Sequence, residues 1–294
     1  MAKFVEELDH IELSAKQESR LKAFLSTELH NSTSERREFI RNLEAEIVAY
    51  EAPDADERSH PWVGSAKLTV PLIGTMADAV FPRLHSTVFG TSTFVTVEEW
   101  QGEMAEHAKA WEDFLQWTMT HELDIERVAN SWLMEAVVHG TSIVKVYWER
   151  LEKETISYNP DGKIVKKDRK VIKNQPVMEH VPLEDFFIPY TATSIKTAQW
   201  VAHRIHTTLG ELQLREENGL YKNIDLLSTT TEEESPDYRR KREELEDTEP
   251  QMATEYDIYE VWADWDLDGN GKEVPILVTY HLSTQTIIRV QANP

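Results

Sequence analysis

The sequence predicts an α+β fold, with a helical N-terminal half followed by antiparallel β-hairpins. One change of period and one turn signal predict it. Apolar residues recur at helical spacing as far as Val137, then alternate with period two from Thr141. Asn159-Pro160-Asp161-Gly162 marks a hairpin turn inside the alternating part. With 40% hydrophobic residues among 294, and nine each of Trp, Tyr and Phe, the chain can build a sizeable core.

The helices come first. Leu8, Ile11 and Leu13 start a pattern that Leu21, Phe24 and Leu25 continue. The polar run Asn31-Ser32-Thr33-Ser34 predicts a break, with Ser34 as N-cap of a second helix carrying Phe39, Ile40, Leu43, Ile47 and Tyr50. Ala52 to Asp56 ends it, and Trp62 to Thr69 reads as extended or loop-like. A third helix carries the stripe Ile73, Met76, Ala77, Val80, Phe81, Leu84 and Val88, and Pro82 inside it predicts a kink or an early stop. Thr93 to Val97 reads as a strand, and Glu98 to Leu123 as a long helix. Ile125, Val128, Ala129, Trp132, Leu133, Ala136 and Val137 form the cleanest stripe, stopped by Gly140. A junction near Glu122 to Asp124 fits two helices or one bent helix.

Beyond Thr141, strand candidates are Ile143–Trp148, Thr155–Tyr158, Lys163–Val165, Lys170–Ile172 and Val177–Val181, a meander of short hairpins. Gln199 to Thr207 is another strand, and Thr208 to Asn218 a short helix ended by Gly219. Ser228 to Glu249 is charge-rich and reads as an exposed helix or a disordered excursion. Strands at Glu255–Asp264, Pro275–Tyr280 and Thr286–Val290 close the chain. The expected organisation is N-terminal helices and an acidic loop over 1–60, a helical core over 61–150, a β-hairpin region over 151–207, a short helix and charged segment over 208–250, and strands over 251–294.

Several chemistries are excluded. There is no cysteine, hence no disulfide, thiolate metal site or cysteine nucleophile. Phosphate-loop, dinucleotide and Gly-x-Ser-x-Gly patterns are absent, so no ATPase motor of the common type is expected. His121-Glu122 starts a zinc-protease pattern whose second histidine is missing, since residue 125 is Ile. His203 and His206 lie three apart on an alternating segment, which sends them to opposite faces, with His203 buried or half-buried between Val201 and Ile205. Asp266, Asp268 and Asn270 match the first half of a calcium loop, but the closing position is Leu277. They read as a β-turn, and no metal or other cofactor is expected.

The formal charge is −22, which disfavours tight phosphate binding and suits a surface that DNA passes without sticking. Arg239, Arg240 and Arg242 form a basic cluster bracketed by acids. Trp111, Trp117 and Trp132 exceed what one small helical core needs, so these three and the arginines are the candidate subunit-interface residues. No uninterrupted apolar run reaches membrane-spanning length, and the acidic start lacks signal-peptide order, so no membrane association is expected.

Three stretches in order resemble the portal, or head-to-tail connector, proteins of tailed bacteriophages, podovirus-like and related large portals. They are Ser65 to Ile73 followed by the stripe to Phe89, Val181-Pro182-Leu183-Glu184-Asp185-Phe186 continuing through Ala202-His203-Arg204 to Leu212, and Tyr259-Glu260-Val261-Trp262 with the turn at Asp266 to Gly271. The resemblance implies a wing-like fold and a non-catalytic ring subunit, usually one of twelve, at a capsid vertex of the virion, assembled in the host cytoplasm. Implied partners are other copies, capsid, terminase, tail or adaptor proteins, and double-stranded DNA passing through the channel. The stem and clip helices expected after the wing do not follow Pro294, so the sequence is expected to be the wing part of such a protein. The alternative is an acidic metal-dependent hydrolase, a nuclease or glycosidase, hidden among the 53 acidic residues.

Overall fold

The alternation beyond Trp200 becomes an antiparallel five-stranded sheet. The computed structural model describes residues 11–51, 71–91, 93, 95–98, 105–158, 164–227 and 255–293. The chain divides into two compact units, one of Met1–Ile40, Leu151–Ile172 and Glu184–Pro294, the other of Arg41–Arg150 and Lys173–Leu183. The fold is α+β, with helices predominating before Ile143 and antiparallel sheets after it.

In the first unit, β3 (Phe186–Phe187), β4 (Trp200–Thr208), β5 (Glu255–Trp265), β6 (Val274–His281) and β7 (Thr286–Ala292) pair in sequence order. Period two gives the sheet two apolar faces. Tyr259, Val261 and Ala263 of β5 join Phe187, Trp200 and Ala202 under helix α1 (Ala15–Glu35). Tyr256 and Ile258 of the same strand pack on the opposite side with Leu212, Tyr221 and Ile224. In β7 the pairing jumps from Thr279↔Arg289 to Tyr280↔Ile287, so Ile288 is the extra residue of a bulge. The bulge turns Ile288 to one core while Ile287 and Val290 reach the other.

Helix α1 starts at Ser14, whose side chain forms a capping box with Gln17, and docks through Leu21, Leu25 and Leu29, one turn apart. The helical pattern expected from Leu8 therefore begins later. Ile11 instead donates its N–H to the Val290 carbonyl at the sheet edge, and residues before it lie outside the described ones. Nor does the polar run at Asn31 break the helix. Thr33 bonds back to the Leu29 carbonyl and Ser32 is buried, so the junction falls at Arg36. Helix α6 (Leu209–Glu217) is capped by Thr208, and Gly219 follows it at φ 73°.

The second unit is helical. It contains most of α2 (Arg37–Glu51), then α3 (Leu72–Phe89), α4 (Ala105–Trp117) and α5 (Ile125–His139). Helix α3 runs unbroken through Pro82, so of the two expected outcomes, a kink or an early stop, the stop does not occur. The long helix expected from Glu98 is also corrected. Described residues at 93 and 95–98 form no strand and no helix, and the Val97 N–H bonds to Glu112. After α4 the chain widens into a π-helical turn, Thr118–Glu122, and Asp124 at φ 46° separates it from α5. Helix α3 packs on α5 and meets α2 where Gly74 faces the Tyr50 carbonyl.

The short hairpins expected over 143–181 are one long two-stranded ribbon, β1 (Ile143–Tyr158) with β2 (Ile164–Val181). Lys173 pairing with Glu149 at 3.0 Å and Trp148 bonding Asn174 at 3.0 Å hold the register between the two strands.

The α2–α3 crossing gives a test. A Cβ on residue 74 would lie 2.5 Å from the Tyr50 carbonyl oxygen, a backbone atom that cannot swing away. Gly74→Ala is expected to destabilise the helical unit by about 1–3 kcal/mol in urea unfolding. Unchanged stability would mean that α2 and α3 do not cross at this residue.

Candidate functional site

The densest polar cluster of the first unit surrounds Asp185, at the end of a 3-10 turn (Leu183–Asp185) that leads into β3. Arg204 and His206 sit two apart on β4 and so share a face. Arg204 reaches Asp185 Oδ1 through Nε at 2.8 Å and its terminal nitrogen at 2.7 Å. His206 Nε2 lies 3.2 Å from the same oxygen, and its Nδ1 lies 2.5 Å from Asp257 Oδ1 on β5. Arg36, at the α1–α2 junction, donates to the Glu184 carbonyl at 3.2 and 3.3 Å and lies 4.1 Å over the Phe187 ring.

Burial opposes charge on His206, but hydrogen bonds to Asp185 and Asp257 outweigh it and raise its pKa to about 9. Burial also works to raise Asp185, yet the His206 hydrogen bond and the Arg204 charge hold it below the usual carboxylate range. Burial and then the neighbouring Arg204 lower Arg36 to about 10. Asp185 Oδ1 and both ring nitrogens of His206 are engaged within the cluster, so it serves as an ionic bolt joining four segments.

The second unit has a smaller network. Glu135 of α5 accepts from His180 at 2.8 Å, Ser142 at 2.9 Å and the Leu183 N–H at 3.1 Å, which ties the ribbon's base to α5. Its surface is more informative. Trp111, Phe114 and Trp117 are 58%, 54% and 49% exposed, spaced three apart along α4. Trp111 meets Phe114 edge-on, and Trp117 stacks on His121. No residue of α4 with described burial is buried. The stripe of α3 is also largely open, with Met76 69% and Ile73 53% exposed, while Gly74 and Ala77 face inward.

The residues singled out in sequence fall in different places. Trp111 and Trp117 are exposed, and Trp132 is half-buried with an indole N–H that meets no acceptor. Arg239, Arg240 and Arg242 lie outside the described residues. Asp266 accepts backbone N–H groups from Gly269, Asn270 and Gly271 at 2.7–3.0 Å, the Asn270 side chain accepts from Lys272 N–H, and Leu277 lies in β6 opposite Trp262. Those backbone bonds, from Gly271 first, hold the Asp266 carboxyl below its ordinary range. Among the described residues no group of three or more His, Cys, Asp or Glu is arranged to hold a metal, and no helix is long and apolar enough to cross a membrane. His203 is buried in β4. The Asp185 cluster is the feature missed in sequence. Its one local signal is Arg204 and His206 at strand spacing, and nothing in the sequence pairs them with Asp185 or Arg36.

Comparison with known families gives a match over nearly the whole chain. The family model described as phage SU10 portal protein matches residues 21–163 and 158–294. No curated protein matches the chain.

The bolt predicts a pH dependence. His206 has a folded pKa near 9 against an ordinary 6.5, so its contribution is complete below about 6.5 and is lost as pH rises through about 9. Denaturant unfolding between pH 6 and 9 is expected to show stability falling across this window. His206→Gln is expected to remove that slope and cost roughly 1–3 kcal/mol at pH 6. An identical slope in the variant would show that His206 is not the titrating group.

Proposed function

The chain belongs to the phage SU10 portal protein family, and from that premise we propose that it serves in a ring at one capsid vertex through which the genome is packaged and later ejected. Membership makes it a structural, head-to-tail connector protein of a bacteriophage. In our reading the ring holds terminase during packaging and tail or adaptor proteins afterwards, DNA crosses without base-specific contact, and no residue of the chain is catalytic.

One observation supports the self-association part of this reading. Among the described residues, 21 of the 28 buried core hydrophobics belong to the sheet unit and seven to the helical unit. The helical unit, in contrast, exposes 12 of the 20 open large hydrophobics. An apolar surface on that scale is what an obligate interface presents before its partner arrives. A ring requires a heterologous contact between two different faces, and the unit offers two, the aliphatic stripe of α3 and the aromatic stripe of α4. Trp111, Trp117 and Trp132 belong to this proposed interface, as do Arg239, Arg240 and Arg242 by charge.

Met76→Asp on α3 and Trp111→Ser on α4 are each expected to raise the concentration needed for assembly about tenfold or more in sedimentation velocity, because each removes roughly 1.5–3 kcal/mol of burial. The β-sheet signal in circular dichroism is expected to stay unchanged. Assembly of both variants at the wild-type concentration would overturn the assignment of these faces.

A further inference from the structure

Among the described residues, glycine follows asparagine or aspartate at three places: Asn218-Gly219, Asp268-Gly269 and Asn270-Gly271. At such a step the glycine nitrogen has no Cβ beside it and can approach the preceding side-chain carbonyl carbon. At asparagine the nitrogen attacks that carbon, and the bond from the carbon to the amide nitrogen breaks. The amide group takes up the proton from the backbone nitrogen and leaves as ammonia, and a succinimide ring closes. Water then opens the ring to aspartate, or to isoaspartate, whose main chain runs through the side-chain methylene.

The fold treats the two asparagines differently. Asn218 is half-buried, and its side-chain amide donates to the Glu152 and Leu214 carbonyls at 2.9 and 2.6 Å. The Gly219 N–H donates to the Glu216 carbonyl at 2.9 Å, so both reacting groups are tied to the surrounding fold. Asn270 is exposed in the β5–β6 turn, and its Oδ1 accepts from the Lys272 N–H at 2.8 Å, a bond within the same turn. What orders this turn is Asp266. Its carboxylate accepts from the Gly269 N–H at 2.7 Å and the Gly271 N–H at 2.8 Å, the two nitrogens that the Asp268 and Asn270 steps would use as nucleophiles. An anion on an N–H opposes loss of its proton and fixes the nitrogen toward the carboxylate.

We infer that Asn270 is a site of spontaneous deamidation and that the Asp266 carboxylate restrains it by holding the Gly271 nitrogen. The same turn helps to seat helix α1. Gln17 Nε2 donates to Asp268 Oδ1 at 3.4 Å, and the Trp265 ring lies 4.4 Å from that of Phe24. Isoaspartate at residue 270 adds a methylene to the main chain between Trp265 and Val274, the pair that ends the β5–β6 ladder. Either product adds a negative charge beside Asp266 and Asp268.

The test ages the full chain at mildly alkaline pH beside a synthetic peptide of residues 264–275. Peptide mapping by mass spectrometry follows the amide-to-acid mass increase at Asn270 and at Asn218, and an isoaspartyl methyltransferase counts isoaspartate. Conversion at Asn270 is expected to be slower in the folded chain than in the peptide, and faster than at Asn218. Asp266→Ala is expected to speed conversion at Asn270 by about tenfold or more, the factor that one hydrogen bond to a charged group is worth. Asp266→Asn keeps an acceptor oxygen without the charge and is expected to fall between the two. Asn218 is expected to convert at the same rate in all three proteins, which separates an opened turn from an opened fold. Equal Asn270 rates in the wild type and both variants would overturn the restraint, as would a rise at Asn218 matching that at Asn270 in both variants. An Asn270 that stays intact in all three proteins while the peptide converts would overturn the site itself.

Discussion

A buried carboxylate must be matched by donors or it costs stability and is driven to take up a proton, and Asp185 is the point where this chain meets that demand. Its donors come from β4, through Arg204 and His206. His206 engages Asp257 on β5, and the carbonyl of Glu184 next to Asp185 takes Arg36 from the helical junction. Removing Arg204 or His206 takes a donor from Asp185, and removing Asp185 leaves two buried cations short of their shared acceptor. The short strand β3 depends on this directly, because Phe187 lies beneath both Arg36 and Arg204 while filling the core under α1. A two-residue strand has little ladder of its own, and the ions fix its place.

The sheet unit, locked in this way, closes both of its apolar faces with its own segments. The helical unit is built on another plan. Its inward contacts use small or isolated residues such as Gly74, Ala77, Ala129 and Leu133, which bring helices close but bury little area. Trp111, Trp117, Met76 and much of the aliphatic stripe of α3 are left outward. Helix α4, continued by the π-helical turn, leaves its aromatic side open to solvent. One unit that closes its own core and one that leaves apolar faces open is what the proposed ring asks of a subunit.

Much of this was legible in sequence. The switch of period near Thr141, the stop at Gly140, the cap and stop of α6, and the closing strands all appear where local signals put them. Such features depend on residues within one turn or one hairpin. The misreadings have a common cause. Ser32 and Thr33 look like a break until Thr33 finds the carbonyl one turn back. The ribbon reads in sequence as a meander of short hairpins because cross-strand partners are set by pairing at a distance. The stripe of α3 reads as core by period, yet most of it is exposed, since periodicity reports that a face is apolar and not what covers it. The Asp185 bolt was invisible for the same reason. Arg36 lies far from Asp185 in the chain, and only the fold brings them together.

Net charge shows the limit of a global number most clearly. A value of −22 describes a body that repels its own copies, and taken alone it argues against close assembly. Repulsion between whole bodies decays over about 8 Å at physiological salt, whereas contact is decided within a few ångströms. At that range, in the assembly proposed above, the apolar faces of α3 and α4 carry the decision, and apolar side chains add nothing to the total. The acidity then acts on everything else. It keeps exposed apolar faces from collapsing onto one another in wrong registers, so that close approach is rewarded only where a complementary patch is in place. For the closed ring we propose, this is the useful arrangement: general repulsion sets the specificity, and local attraction sets the geometry.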